Sequence, residues 1–424
     1  MSDFKEIKNE RINERVLYTR HKSGLDIYIA PKPGYSSQYA IFGTKYGSID
    51  NRFIVDGETL TVPHGIAHYL EHKLFESEDG DAFSRYAETG ASANAYTSFD
   101  RTCYLFSSTS KFTDSLEILL DFVQHPYFTP QTVEKEQGII GQEIKMYDDS
   151  PDWKVLFNLL GALYNTHPVK IDIAGTVETI SHITADLLYK CYNAFYNLGN
   201  MVLCVAGDVS PDEVISVADK VLKPAKPQQV KSIFEPEPMT IVKPRVEQKL
   251  SVSVPMFNFG FKDEPSEGSE GTKKEALTDI LLEIICGDAS PLYRRLYDSG
   301  LINADFSMQY FNGRSFASTI IGGESHNPDA VMEEFLKETA RLQKDGILKS
   351  DFETAKRAVY GHFVALYDSV ENVANNIAGF RFMDIGPFDT IEAVANADFD
   401  SATERLKSHF APERCALSVI LPIE

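Results

Sequence analysis

The sequence predicts an α+β chain of two structurally related halves, each a mostly antiparallel sheet packed with helices, joined by a linker. Three observations carry that prediction. Short strand-like runs bounded by turn residues alternate with longer stretches of helical spacing. Five prolines, Pro224, Pro227, Pro236, Pro238 and Pro244, interrupt the chain in one place. A similar order of elements precedes and follows that break. A run so rich in proline can form neither a helix interior nor a central strand. The expected boundaries are therefore residues 1–222 for a first domain, 223–244 for the linker and 245–424 for a second domain.

Taken in order, Leu25 to Ala30 reads as a strand, Pro31 to Gly34 supplies turn chemistry, and Tyr39 to Tyr46 reads as a second strand. A helix is expected from His64, another over Ala82 to Thr89, then a strand across Asn94 to Phe106. Ser115 to His125 places Leu116, Leu119, Leu120 and Val123 on one helical face. Long helices follow near Pro130 to Met146 and Asp152 to Tyr164. Val202 to Ala206 is a short buried strand, and Ser210-Pro211-Asp212 opens the next helix. After the linker, Lys249 to Pro255 reads as a strand, Lys274 to Cys286 and Pro291 to Tyr297 as helices, and Ser315 to Gly322 as a strand. Helices near Asp329 to Asp345 and Ser350 to Tyr367 precede a closing strand from Arg414 to Leu421.

Composition excludes several functions. The chain has 424 residues, 43% hydrophobic and 24% charged, the balance of a globular protein with a substantial core. A net charge of −21 repels nucleic acid and anionic membrane surfaces and favours basic partners. Cys103, Cys191, Cys204, Cys286 and Cys415 are scattered, odd in number and without a Cys-x-x-Cys pair, so neither a disulfide framework nor a thiolate zinc site is indicated. With a charged first segment and no long apolar run, the expectation is a cytoplasmic protein with no membrane span.

The chemistry concentrates in His64-Gly-Ile-Ala-His68-Tyr-Leu-Glu71-His72. On a helix, His68 and His72 stand one turn apart on one face, a spacing that lets two imidazoles grip one Zn²⁺. Glu71 points towards the same face and can take a proton from an attacking water. A catalytic zinc site needs a third protein ligand from elsewhere in the chain. A lone histidine pair can also be a surface or core feature, and here the flanking sequence weighs against that reading.

The stretch from Pro63 to Phe75 resembles the inverted zinc motif of the pitrilysin-type M16 metallopeptidases, the family of insulin-degrading enzyme and mitochondrial processing peptidase. The resemblance extends to Gly90 to Thr97, Glu134 to Glu143, Pro168, Gly175, Tyr196 to Leu203 and Gly207-Asp208. It implies a bacterial-type two-domain member whose halves close as a clamshell around short or unfolded peptides. It also implies a zinc endopeptidase with Glu143 as third ligand beside His68 and His72, and Glu71 as general base. Glu136, two turns before Glu143, matches the carboxylate that orients a ligating histidine; Glu134 lies off that face. Asn94 and Ala95 match the segment that runs beside the substrate, where an extended peptide adds to a sheet edge; the plainer reading of Asn94 is a turn residue. Tyr96, Phe99, Tyr104 and Phe106 read as core or wall, and His64 as structural.

The second half departs from the family pattern. Members that act alone carry an Arg and a Tyr after a Ser-x-Leu-[Phe/Tyr] start, a pair that stabilises the oxyanion. Here Ser290 to Tyr293 supplies the start, but Tyr297 and Asn303 fall where Arg and Tyr are expected. Either Arg295 and Tyr310 fill the role from shifted positions, or a second M16-like subunit supplies it, in a heterodimer or a homodimer. A non-catalytic assembly or chaperone-like subunit is the rival from another class, and a dedicated maturation protease is a second rival.

Overall fold

Two main sheets organise the chain, and their central strands are buried at almost every residue. A computed structural model describes residues 4–78, 80–224 and 228–423. The first sheet contains β1 (Lys5–Asn9), β2 (Glu14–Arg20), β3 (Asp26–Pro31), β4 (Gln38–Thr44), β5 (Ser92–Thr97), β6 (Thr102–Ser108) and β7 (Met201–Gly207), in the order β1-β2-β3-β7-β4-β6-β5. The second contains β8 (Arg245–Leu250), β9 (Met256–Asp263), β10 (Ser307–Gly313), β11 (Phe316–Glu324) and β12 (Cys415–Pro422), in the order β8-β12-β9-β11-β10. Both are antiparallel except where β7 runs parallel to β3 and β12 parallel to β8. The run β3-β7-β4-β6-β5 therefore repeats as β8-β12-β9-β11-β10, pair type for pair type. This is the internal repeat expected from the order of elements.

Six helices cover these sheets or carry chemistry-bearing side chains: α1 (Ile66–Leu74), α2 (Pro130–Asp148), α3 (Pro151–Leu163), α4 (Gly268–Cys286), α5 (Lys349–Ala365) and α6 (Val370–Phe382). The chain forms two units, and neither is continuous in sequence. One comprises Met1–Ile144, Asp172–Ile233 and Ala365–Pro387; the other comprises Lys145–Ile171, Phe234–Val364 and Phe388–Glu424. The expected boundaries, 1–222 and 245–424, thus differ from the packing, because each half lends one helix to the other half's sheet. On the first sheet, α6 covers the face opposite the main core. Its Phe382 ring packs over Gly43, Asn375 donates to the Tyr39 hydroxyl at 3.0 Å, and Arg381 bonds Asp26 at 2.7 Å. On the second sheet, α3 does the same: Leu159 and Leu163 lie over Gly260, where a Cβ would also meet the Thr319 carbonyl at 2.7 Å. Both sheets are consequently buried on two faces.

The proline-rich segment is anchored rather than free. Val230–Ser232 pairs with Arg52–Val55 in a small three-stranded sheet of the first unit. In the second unit, Glu237 accepts the backbone N–H groups of Asn165, Thr166 and His167 at 2.7–2.8 Å, and an ion pair from buried Lys262. Pro227 lies outside the described residues. Among the described residues, no helix is long and apolar enough to cross a membrane.

The second unit has a buried polar knot. Asp263 accepts from Arg405 at 2.5 Å and from the Tyr310 hydroxyl at 2.8 Å, and Arg405 also donates to Thr278 at 3.1 Å. Burial alone would raise the Asp263 carboxyl, but its bonds with His409 and Arg405 hold it well below the usual carboxylate range. Asp263→Ala strands the Arg405 charge and is expected to lower unfolding stability by about 3–5 kcal/mol at neutral pH. Because the folded carboxyl is depressed, this stability is present above about pH 4 and is lost as pH falls. Denaturant midpoints of wild type and variant should therefore converge on acidification.

Candidate metal centre

Gly65 starts α1 in the left-handed region, φ 89°, and its carbonyl accepts the first helical bond from the Tyr69 N–H at 2.9 Å. The backbone here presses against the loop at Ala174-Gly175. A Cβ on Gly65 would lie 2.3 Å from the Ala174 carbonyl oxygen, and one on Gly175, φ 73°, would lie 2.6 Å from that of His64. Only glycines satisfy both sides of that contact. Gly65→Ala is expected to cost about 2–4 kcal/mol, read as a lower thermal midpoint.

Eight of the nine α1 residues are buried, with Ile66, Leu70 and Leu74 in the first core. The Tyr69 hydroxyl donates to the Val133 carbonyl and ties α1 to the start of α2. On α2, Val133, Ile140 and Ile144 face the core, and Glu136 and Glu143 stand three residues after the first two of these. Both carboxylates therefore sit along one flank of the buried stripe and face α1.

The result brings His68, His72 and Glu143 together, with one ligand atom from each within 4.8 Å of the others. Among the described residues this is the one group of three or more such side chains so placed. Glu143 lies 3.6 Å from His68 Nε2 and 3.2 Å from His72 Nε2. Two zinc bonds of about 2.0–2.1 Å at a tetrahedral angle separate their outer atoms by about 3.3–3.4 Å, so these spacings fit a zinc ion. His72 Nδ1 bonds Glu136 at 3.1 Å, which leaves Nε2 directed at Glu143. Burial pulls the His72 pKa down, but the bonds to Glu136 and Glu143 outweigh it and carry it to about 10. The same two imidazoles hold Glu143 far below the ordinary carboxylate range. Glu134 is exposed and outside the cluster.

Glu71 is 9% exposed, and burial raises its pKa. Its Oε2 accepts a 2.6 Å bond from the Thr97 hydroxyl at the end of β5. Thr97 and Tyr69 are functional neighbours that the sequence does not single out, because neither carries a signal until α1, α2 and β5 are assembled. Asn94 and Ala95 lie on β5, which forms the edge of the first sheet. The Ala95 N–H donates to Asn94 Oδ1 at 2.9 Å, so the asparagine caps its own strand edge and does not serve a turn. Phe99, Tyr104 and Phe106 are buried, and the half-buried Tyr96 donates its hydroxyl to Asn375, in keeping with wall and core roles. His64 stays outside the cluster.

In the second unit, Tyr310 is 8% exposed and its hydroxyl is committed to Asp263, while Arg295 pairs with Glu338 at 3.2 Å. Tyr297 is half exposed and Asn303 donates to Glu324 at 2.8 Å. A phenol already donating inside a buried knot is a poor oxyanion donor, which weighs against the shifted Arg295/Tyr310 explanation.

Residues 61–177 match the family model described as insulinase (peptidase family M16), and residues 182–359 match the one described as the peptidase M16 inactive domain. The chain is 42% identical to the uncharacterized zinc protease YmfH of Bacillus subtilis, with 99% of each chain covered. It is 27% identical to a second uncharacterized zinc protease of that organism, YmxG, over 78% of this chain and 81% of that one. Among solved structures, an M16-like peptidase from Alicyclobacillus acidocaldarius superposes with a TM-score of 0.94 at 34% identity, covering 98% of this chain and 100% of that one. Pitrilysin shares the fold at a TM-score of 0.77 and 16% identity, with 99% of this chain covering 47% of it. With its inverted histidine motif, duplicated sheets and these relatives, the chain belongs to peptidase family M16 and is a zinc-protease-like member of it.

Proposed function

We propose that this chain is a zinc-dependent endopeptidase for short or unfolded peptides, working in the cytoplasm as the zinc-bearing subunit of a two-subunit M16 protease. The observation that carries the reading is the convergence of His68, His72 and Glu143, with the Glu71 carboxylate on the same helix. Bound Zn²⁺ would supply the Lewis acidity that polarises a peptide carbonyl and acidifies water. Glu71, with Oε2 held by Thr97, keeps Oε1 to take the proton of the attacking water and pass it to the leaving amine. Its burial-raised pKa suits both halves of that transfer. An extended substrate would add to β5, its carbonyl taking over the Ala95 N–H now held by Asn94. Five buried free thiols fit a reducing compartment.

The commitment of Tyr310 to Asp263 supports the need for a second chain, either another M16-like subunit or a second copy. The test measures zinc content and cleavage of a quenched-fluorescent unfolded peptide by the chain alone and with a candidate M16-like subunit that carries the Arg/Tyr pair. Turnover removed by a chelator and restored by zinc is the expected result. Bound zinc without turnover in either mixture would favour the non-catalytic assembly or chaperone-like reading.

A further inference from the structure

The duplicated sheets differ at one edge. In the first unit the outer side of β3 is taken by β2, which pairs with it antiparallel. Its counterpart in the second unit, β8, ends its sheet: among the described residues β12 is its one strand neighbour. The Leu417 N–H donates to the Pro244 carbonyl at 3.0 Å and the Ile423 N–H to the Leu250 carbonyl at 3.1 Å, so the backbone groups of even-numbered residues in 244–250 face β12. Those of Arg245, Glu247 and Lys249 are therefore directed to the outer edge. An edge of this kind is a template for another strand.

Side chains decide which strand fits. Gln248 accepts from Asn158 of α3 at 2.8 Å, so Val246, Gln248 and Leu250 lie on the α3 face, while Glu247 and Lys249 are exposed on the other. Charges on an edge work against pairing, and here they exclude all but one of the self-pairings centred on residues 245–249. In a two-fold antiparallel pair with a second copy, hydrogen bonding requires odd-numbered residues opposite odd-numbered ones. An axis at Arg245, Glu247 or Lys249 sets that charge against itself, and an axis at Val246 sets Lys243 against Lys249. With Gln248 on the axis, Glu247 meets Lys249 and Val246 meets Leu250, each twice, and the strand is used from end to end. Both bonds from Arg245 reach Glu247 at Oε1, at 2.5 and 2.8 Å, which leaves Oε2 for Lys249 of the second copy; an ammonium has three donors to share. Two large apolar side chains left exposed, Val242 at 44% and Ile423 at 62%, stand at opposite ends of β8. Antiparallel pairing brings the Ile423 end of one copy to the Val242 end of the other.

We propose that β8 is a self-association edge, pairing antiparallel with β8 of a second copy about a two-fold axis at Gln248 and joining two five-stranded sheets into one continuous sheet. The pairing involves neither zinc nor turnover, so it stands or falls apart from the peptidase reading. Sedimentation equilibrium of the full chain at about 50 μM should give a mass twice that of one chain. Lys249→Glu and Glu247→Lys should each weaken self-association about tenfold or more, because each sets like charges opposite one another at two symmetry-related places. The double reversal, Glu247→Lys with Lys249→Glu, should restore the dimer, which neither a fold defect nor a general charge effect would allow. With Gln248 on the axis, its two copies form a non-hydrogen-bonded pair with Cα atoms about 4.5 Å apart, within disulfide reach. Gln248→Cys should therefore crosslink two chains under mild oxidation, and Val246→Cys, two residues off the axis, should not. A monomer at that concentration, single reversals that leave the mass unchanged, a double reversal that stays monomeric, or equal crosslinking of both cysteine variants would overturn the assignment.

Discussion

Glu71→Gln is expected to bind zinc as wild type does and to hydrolyse peptides about 100- to 10,000-fold more slowly. Glutamine keeps the volume and can still accept the 2.6 Å bond from Thr97, so α1 and its histidines stay in place. What disappears is a carboxylate able to take a proton from water and release it to the amine. Metal analysis and kcat, measured on the same preparation, separate the two effects. Loss of zinc in this variant would mean that Glu71 supports the cluster itself. Near-normal kcat would transfer the base to another group and remove the central claim of the mechanism.

Glu143→Ala is expected to abolish tight zinc binding and hydrolysis together, whereas Glu136→Gln should weaken zinc about 10- to 100-fold and leave activity recoverable at high metal. The contrast follows from position. Glu143 bridges both imidazoles at 3.2 and 3.6 Å, so its loss removes one of three ligands. Glu136 touches only His72 Nδ1, at 3.1 Å, and orients a ring that could still bind. Equilibrium zinc titration with a chromogenic chelator ranks the two variants. Equal losses in both, or retention of zinc by Glu143→Ala, would contradict the ligand assignment.

The candidate metal cluster is legible in the sequence because its signals are local. Histidines four apart and glutamates seven apart each define a face of one helix, and family resemblance supplies the link between the two helices. The physical link, Tyr69 reaching the Val133 carbonyl, joins residues whose sequence spacing carries no period. Other elements mislead for physical reasons. The alternating run from Lys249 to Pro255 reads as a strand, yet β8 ends at Leu250 and the central strand is Met256–Asp263. The Asn, Gly and Lys of that central strand depress strand propensity, while Phe257, Phe259 and Phe261 alternate fully into the core. Gly260 is required there because the Thr319 carbonyl and α3 leave no room for a side chain. The expected single strand from Asn94 to Phe106 is a hairpin, β5 and β6, turning at residues 98–101. Helix α6 has no clear signature: three asparagines and a glycine blur its pattern, and the Tyr39 and Gly43 it packs against lie more than three hundred residues earlier.

The exchange of α3 and α6 bears on how the chain is made. As synthesis proceeds, the first sheet emerges long before α6, so Ile41, Cys103 and Cys204 on the face that helix covers wait for a cover until the last part of the chain leaves the ribosome. Helix α3, by contrast, is made before any strand of the sheet it will cover. Neither unit can be finished before the other is nearly complete, and splitting the gene within residues 223–244 would deprive both products of a layer.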